Sequence, residues 1–350
     1  IINLDYSNIG VVIGKNSVAL IESGMGDYEE HSNDNVLKLI RTITDKPIKY
    51  VINMHSHPDH SGGNNFFSQL GATLITHKNV VYSEFYDGRY PDNNVIYFND
   101  QMTLDMGNET IEIQHMIAHT FDDGIIYLKN SNLIFIGESY KPDYITYMGK
   151  LGKTSFDEWG DKALNKMDEH TIVVPSHGNT SLNKTQLVAY RQNVLNWHER
   201  ISILYQQKKS IDDIVKDRVA LSYIKKNDLD SNPDHHGKYY KDDVQGLIRS
   251  DVRKAPSLDI DLIKQYIGTY TQKGKTPIEV ELMRGQLVAK QLNGFISWLK
   301  PISENKFESI SFFNEVFLFI KRPDSDEVQL QVNFPEKAPY LTKVSGIWLK

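Results

Sequence analysis

His55-Ser56-His57-Pro58-Asp59-His60-Ser61-Gly62-Gly63 places three imidazoles and a carboxylate within six residues. The run before it, Tyr50-Val51-Ile52-Asn53-Met54, is apolar enough to read as a buried strand, and the glycine pair after it reads as a turn. His55 and His57 stand two apart, so in extended chain they project to one side. Asp59 and His60 follow on the turn and aim at a second point close by. Neutral imidazole nitrogens and carboxylate oxygens bind zinc at roughly 2.0–2.1 Å. One ion cannot take all four side chains from so short a loop, and two adjacent ions are the expectation.

Two ions need more ligands, and other strand ends offer them. His119 follows Met116-Ile117-Ala118, Glu138 follows Phe135-Ile136-Gly137, and His177 follows Val173-Val174-Pro175-Ser176. Each repeats the first motif's pattern: an apolar strand, a ligand type, then a turn. In open α/β sheets the carboxyl ends of strands form the crevice where chemistry is done.

The surrounding chain supports a layered α/β fold. Gly10–Gly14 and Ser17–Glu22 read as a hairpin, residues 33–44 as a helix with Val36, Leu37, Ile40 and Ile43 on one face, and residues 72–76 as a strand. Further strands are predicted at 102–104, 110–113, 125–128, 133–136 and 171–174, with a helix at 156–167. From Lys184 to about Lys254 the spacing is helical, and Ala255-Pro256-Ser257 reads as a boundary. Beyond it, Ile278-Glu279-Val280-Glu281-Leu282 and Val328-Gln329-Leu330-Gln331-Val332 alternate with period two. The expected organisation is a catalytic domain over residues 1–200, a helical extension over 201–255 and a small, mostly β domain over 256–350.

Composition narrows the function. A net charge of −6 over 350 residues, without basic blocks, argues against nucleic acid as a partner. There is no cysteine, so any metal must be held by His, Asp or Glu. No window approaches the ~20 apolar residues of a membrane span, and no membrane partner is expected. Gly-x-Ser-x-Gly is absent, which leaves a serine hydrolase unsupported. The chain opens at Ile1 rather than Met. With the lack of cysteine, this suggests a processed, exported (periplasmic or secreted) protein.

In order and spacing, His-x-His-x-Asp-His at His55–His60, Ala118-His119-Thr120, Gly137-Glu138 and Pro175-Ser176-His177-Gly178 resemble the metallo-β-lactamase superfamily. The resemblance covers about residues 6–200. It implies an αββα sandwich with a dinuclear site at the sheet edge. His55, His57 and His119 would hold the first ion; Asp59, His60 and His177 would hold the second. Glu138 would bridge them or join the second, with Ser139 the competing candidate for that structural position. The implied cofactor is two Zn2+, with iron or manganese as alternatives. Two sequence positions depart from the family's pattern. Glu22 stands where the family has Asp in an early strand motif, and Glu138 where it has Asp or, in one subclass, Cys.

The implied chemistry is hydrolysis of a small molecule. A metal-bound hydroxide, its water's pKa lowered from about 15.7 toward about 7, would attack a cyclic amide or ester, as in β-lactamase-like or lactonase-like enzymes. Thioester, phosphoester and sulfate-ester hydrolysis are alternatives on the same scaffold, as is a di-iron oxidoreductase. Asp59 would serve both as ligand and as proton shuttle. Glu22, Thr120 and Asp122 (or Asp123) would orient the ligands from behind. Lys141, three residues after Glu138, would bind an anionic group of the substrate. Phe85, Tyr86, Tyr90, Tyr140, Tyr144 and Tyr147 could wall the pocket. His31, His77, His115, His170, His198, His235 and His236 lack a matching context and read as surface or core residues. The segment around Tyr266-Ile267-Gly268-Thr269-Tyr270 resembles the small β-barrel-like domain appended to some exported hydrolases.

Overall fold

The computed structural model describes the chain apart from residues 5–6, 28–32, 87, 92, 141–151, 179–180, 226–232, 311–314, 324–326, 334–345 and 350; for 224–225, 233–239 and 346 it describes the backbone alone. Lys141, Tyr144, Tyr147 and His31 therefore lie outside the described residues. The chain divides into two compact units: Ile1–Val80 with Phe85–Leu247, and Val81–Glu84 with Ile248–Lys350.

Among the described residues, the first unit contains two sheets. The first sheet runs in chain order through β1 (Ile2–Asn3), β2 (Asn8–Ile13), β3 (Val18–Ile21), β4 (Ile48–Ile52), β5 (Thr73–His77) and β6 (Val95–Phe98). Its β2–β3 hairpin is antiparallel, and β3, β4, β5 and β6 are parallel. Helix α1 (Asn33–Arg41) crosses from β3 to β4, burying Val36 and Ile40. The predicted helix ends early, because Thr42 and Ile43 leave it in a turn. Two short helices, α2 (Pro58–Ser61) and α3 (Asn64–Gln69), cross from β4 to β5.

The second sheet has the order β11 (Ile172–Val174), β10 (Leu133–Phe135), β9 (Gly124–Leu128), β8 (Thr110–His115), β7 (Gln101–Asp105). Helix α4 (Lys153–Lys166) joins β10 to its parallel neighbour β11, and α5 (Lys184–Gln206) packs beside β11. The sheets face each other across one apolar layer. Val12, Ala19, Ile21, Ile52, Ile75 and Phe98 of the first sheet meet Ile111, Ile113, Ile126, Leu128, Phe135 and Val174 of the second. Burial of each large aliphatic contributes about 1.5–3 kcal/mol relative to exposure. This is the expected αββα sandwich. Strands β1 and β6 are not among those predicted. β1 is only two residues long, and β6 exposes Ile96 and Tyr97 at a sheet edge, so neither carries a clean alternation.

Among the described residues, the second unit contains a meander of eight strands, β12 (Gly268–Tyr270), β13 (Ile278–Met283), β14 (Gln286–Gln291), β15 (Phe295–Pro301), β16 (Lys306–Ser309), β17 (Val316–Lys321), β18 (Val328–Asn333) and β19 (Gly346–Leu349). Its two edges meet where the Thr271 and Leu349 backbones exchange hydrogen bonds, at 2.6 and 2.8 Å. The period-two alternation turns Tyr270, Leu287, Leu299, Phe307, Phe317, Phe319, Leu330 and Trp348 into a shared interior. Closing the sheet removes the exposed edges that an open meander would leave. No helix among the described residues is long and apolar enough to cross a membrane.

Candidate metal centre

The chain changes conformation inside the opening motif. After β4 it bends at Met54 and His55, His57 is extended (φ −62°, ψ 148°), and Pro58 then opens α2. Proline suits this position: its fixed φ is already helical, and its missing N–H would have no partner in the first turn. His55 therefore leaves from the bend after β4 and His57 from extended chain, whereas Asp59 and His60 leave from the helical turn. That break in direction divides the motif between two ligand sets.

The glycine pair is required by close approach. Ser61 bridges to Gly24, and the Gly62 N–H donates to the Gly24 carbonyl at 2.8 Å. A Cβ on Gly62 would lie 2.2 Å from the Met25 carbonyl oxygen, and one on Gly63 would lie 2.5 Å from that of Ser23. Beneath the loop, Asn53 donates to the His60 carbonyl at 3.3 Å, Asn64 donates to Asn53 at 2.8 Å, and Ser23 donates to Asn64 at 2.8 Å.

Three other strand ends complete the centre. The loop from β8 to β9 brings His119, the short turn after β10 brings Glu138, and the end of β11 brings His177. The His119 loop is braced internally by Asp123, which accepts from the Thr120 N–H and hydroxyl, both at 2.9 Å. Trp159 of α4 donates to the Ile136 carbonyl at 3.2 Å, just before Glu138. The His177 turn is tied to the first sheet by Asn8, whose side chain donates to Pro175 and Gly178 carbonyls at 2.9 and 2.8 Å.

The side chains converge as two main sets, and Glu22 forms a third, buried group with His55 and His60 of those sets. His55, His57 and His119 form one main set; Asp59, His60, Glu138 and His177 form the other. In the first, His119 Nε2 stands 3.1 Å from His57 Nδ1, and the His55 and His57 rings meet edge-on at 4.7 Å. Two nitrogens on one tetrahedral zinc stand about 3.3 Å apart, so the observed spacing fits a shared ion. In the second set, His60 Nε2 lies 3.1 Å from both Asp59 Oδ2 and Glu138 Oε1. His177 Nε2 lies 3.5 Å from Asp59 Oδ2 and contacts Glu138 Oε1. The carboxylate of Glu138, rather than Ser139, reaches the cluster, and it stands with the second set.

Burial sets the protonation of these groups. His55 is fully buried, and neither ring nitrogen has a hydrogen-bond partner. Burial, reinforced by the neighbouring His60, His57 and His119, holds its pKa well below the ordinary imidazole value. A neutral buried imidazole with two unsatisfied nitrogens is costly unless an ion takes one of them. Burial would raise the Asp59 carboxyl, but the charge and hydrogen bond of His60 outweigh it and hold the group well below the usual range. Burial likewise disfavours a proton on His60, yet Asp59, Glu138 and Glu22 draw its pKa well above the ordinary value. A bound cation meets the same carboxylates and displaces that proton.

The residues expected behind the ligands fall in different places. Glu22 is fully buried, with a left-handed φ of 64°. It accepts from the Met54 N–H at 2.9 Å and from Asn53 at 3.3 Å, and lies 3.8 Å from His60 Nδ1. Burial pushes its pKa up to about 8 against those partners. Thr120 is held by Asp123, whose carboxylate braces this loop. Asp122 is buried near Tyr90, whose hydroxyl is pushed well above its ordinary pKa by burial first and by Asp122 second. Phe85 meets His57 edge-on at 5.3 Å, and Arg89 lies over the Phe85 ring at 5.7 Å. Arg89 is not among the sequence-derived candidates, since a lone arginine in a loop carries no spacing signal.

Residues 2–177 match the family model of the metallo-beta-lactamase superfamily. The chain is 22% identical over 203 residues to a hydroxyacylglutathione hydrolase of Pelagibacter ubique, covering 55% of this chain and 81% of that protein. It is also 22% identical over 198 residues to a metallo-beta-lactamase type 2 of Bacteroides fragilis, covering 54% of this chain and 75% of that protein. Among solved structures, a metallo-beta-lactamase family protein from Thermus thermophilus superposes with a TM-score of 0.49 at 15% identity, covering 61% of this chain and 84% of the other. Because that family model spans residues 2–177, half of the chain, the chain belongs to the metallo-β-lactamase superfamily of metal-dependent hydrolases.

Proposed function

We propose that this protein is a dinuclear zinc hydrolase that opens a cyclic amide or ester. The carrying observation is the pair of adjacent ligand sets fed by one loop, three imidazoles on one side and Asp59, His60, Glu138 and His177 on the other. Bound there, two ions supply Lewis acidity and lower the pKa of water. His55, His57 and His119 hold the first ion as neutral donors. Asp59, His60 and His177 hold the second, and Glu138 completes its shell. Asp59 is ionised and partly exposed, with a quarter of its side chain open to solvent. It takes the proton released when water adds to the acyl carbon and delivers it to the departing nitrogen or oxygen.

The all-imidazole first set supports zinc and hydrolysis over a di-iron oxidoreductase, which calls for carboxylate-richer ligands. Thioester cleavage is a second reading, favoured by the match to a hydroxyacylglutathione hydrolase. A substrate panel on the zinc-loaded protein tests both: a chromogenic cephalosporin, an acyl lactone, an acyl thioester and a phosphodiester. Chelator-sensitive turnover of the cephalosporin or lactone is expected. Preference for the thioester selects the second reading, and turnover of the phosphodiester alone overturns both.

A further inference from the structure

The first ligand set spans both sheets. His55 and His57 hang from β4 of the first, and His119 hangs from the β8–β9 loop of the second. Bonds within the His119 loop fix its shape but not its distance from β4. Beside the loop lies a tie between the sheets that uses no metal ligand. His77, at the end of β5, stacks on His115, at the end of β8, with ring centroids 3.6 Å apart and planes 3° from parallel. Asn79 donates its backbone N–H to His77 Nδ1 at 3.2 Å and its side-chain amide to the Phe121 carbonyl at 2.9 Å. His115 Nε2 stands 3.0 Å from the same carbonyl. A carbonyl only accepts, so His115 carries its proton on Nε2. Phe121 is buried and lies two residues beyond His119.

We propose that Asn79 and His115 are positioning residues for His119. From the first sheet's side, Asn79 donates to the Phe121 carbonyl directly; from the second sheet, His115 meets the same carbonyl and carries its position across to His77 through the ring stack. Both links hold the His119 loop at the distance from His57 that one ion requires. His77 supports both, as acceptor for the Asn79 backbone and as stacking partner for His115. Burial holds His77 neutral, which keeps Nδ1 available as that acceptor. The proposal rests on the reading that His55, His57 and His119 hold an ion.

Cobalt(II) alone, titrated into the metal-free full chain and followed by visible absorption and competition with a chelator, tests it. His115→Phe keeps a ring to stack on His77 and removes the donor; His115→Gln restores a donor; Asn79→Asp keeps the shape and removes the other donor. Removing partners that orient metal ligands costs about 10–100-fold in affinity. The expected result is about tenfold weaker binding of the first cobalt equivalent in His115→Phe and Asn79→Asp, an altered cobalt spectrum, and recovery in His115→Gln. Circular dichroism checks folding, and if His115→Phe does not fold, Asn79→Asp decides. Wild-type affinity and spectrum in a folded donor-deleted variant overturn the proposal while leaving the metal site intact. Failure of the unaltered chain to bind cobalt overturns the metal reading and the proposal together.

Discussion

His119 Nε2 and His57 Nδ1 face each other at 3.1 Å although their strands belong to opposite sheets. Two ring nitrogens brought this close need either a shared proton or a shared cation. His55, buried beside them with both nitrogens unsatisfied, favours the cation. His57→Ala should therefore abolish hydrolysis of whichever substrate the panel identifies and lower the metal content of the purified protein. Elemental analysis and turnover measured on one preparation check this, and full metal content with unchanged turnover would remove His57 from the site.

Gly62→Ala tests the close approach that seats the opening loop. Its Cβ would meet main-chain atoms of Met25, which cannot rotate away. Overpacking of this kind costs about 3 kcal/mol. Urea denaturation should show that loss, accompanied by weaker metal binding because His60 is displaced. A variant as stable as the parent would show that the loop relaxes freely.

The pH dependence of stability has a predictable component from His77. Burial, with His115 and Lys78 adding to it, lowers its pKa to about 3 against a backbone bond at Asn99. The unfolded chain titrates this group near pH 6.5, so between about pH 6.5 and 3 it binds a proton that the folded chain does not. The stabilisation is complete above about pH 6.5 and is lost as pH falls, at up to about 1.4 kcal/mol per pH unit. In chelator, His77→Phe should flatten the acid limb of the urea-stability profile by one proton. Parallel profiles for the two proteins would contradict this.

Metal removal should destabilise the first unit. An ion present at a thousandfold excess over its dissociation constant stabilises by about 4 kcal/mol. Chelation should lower the Tm of the first transition by about 10 °C. Calorimetry with and without chelator reads this directly, and coincident transitions would show that the ligand sets hold no tightly bound ion.

Much of this site was legible because metal chemistry restricts residue type. His55, His57, His60, His119 and His177 each follow an apolar strand, and few other reasons bring so many imidazoles to strand ends. The sandwich was legible because β3, β9, β10 and the Val51–Ile52 end of β4 are mostly buried and read as apolar runs, whereas β6 at a sheet edge is not and does not. The eight-stranded closure was legible only as alternation, since the Thr271–Leu349 bridge joins residues far apart in the chain. The Asn79–Phe121 and His77–His115 contacts left no trace in the sequence, because they depend on how the two sheets face each other rather than on local pattern. Asp122 and Asp123 are adjacent and chemically identical, and the turn geometry alone directs Asp123 to Thr120.

Metal stoichiometry tests the central claim most directly. The purified chain, stripped, reloaded with zinc and dialysed, should retain two equivalents per chain by elemental analysis, and His177→Ala should retain one. One equivalent in the parent, or a parent and His177→Ala that cannot be told apart, would contradict a dinuclear centre built from His55, His57, Asp59, His60, His119, Glu138 and His177.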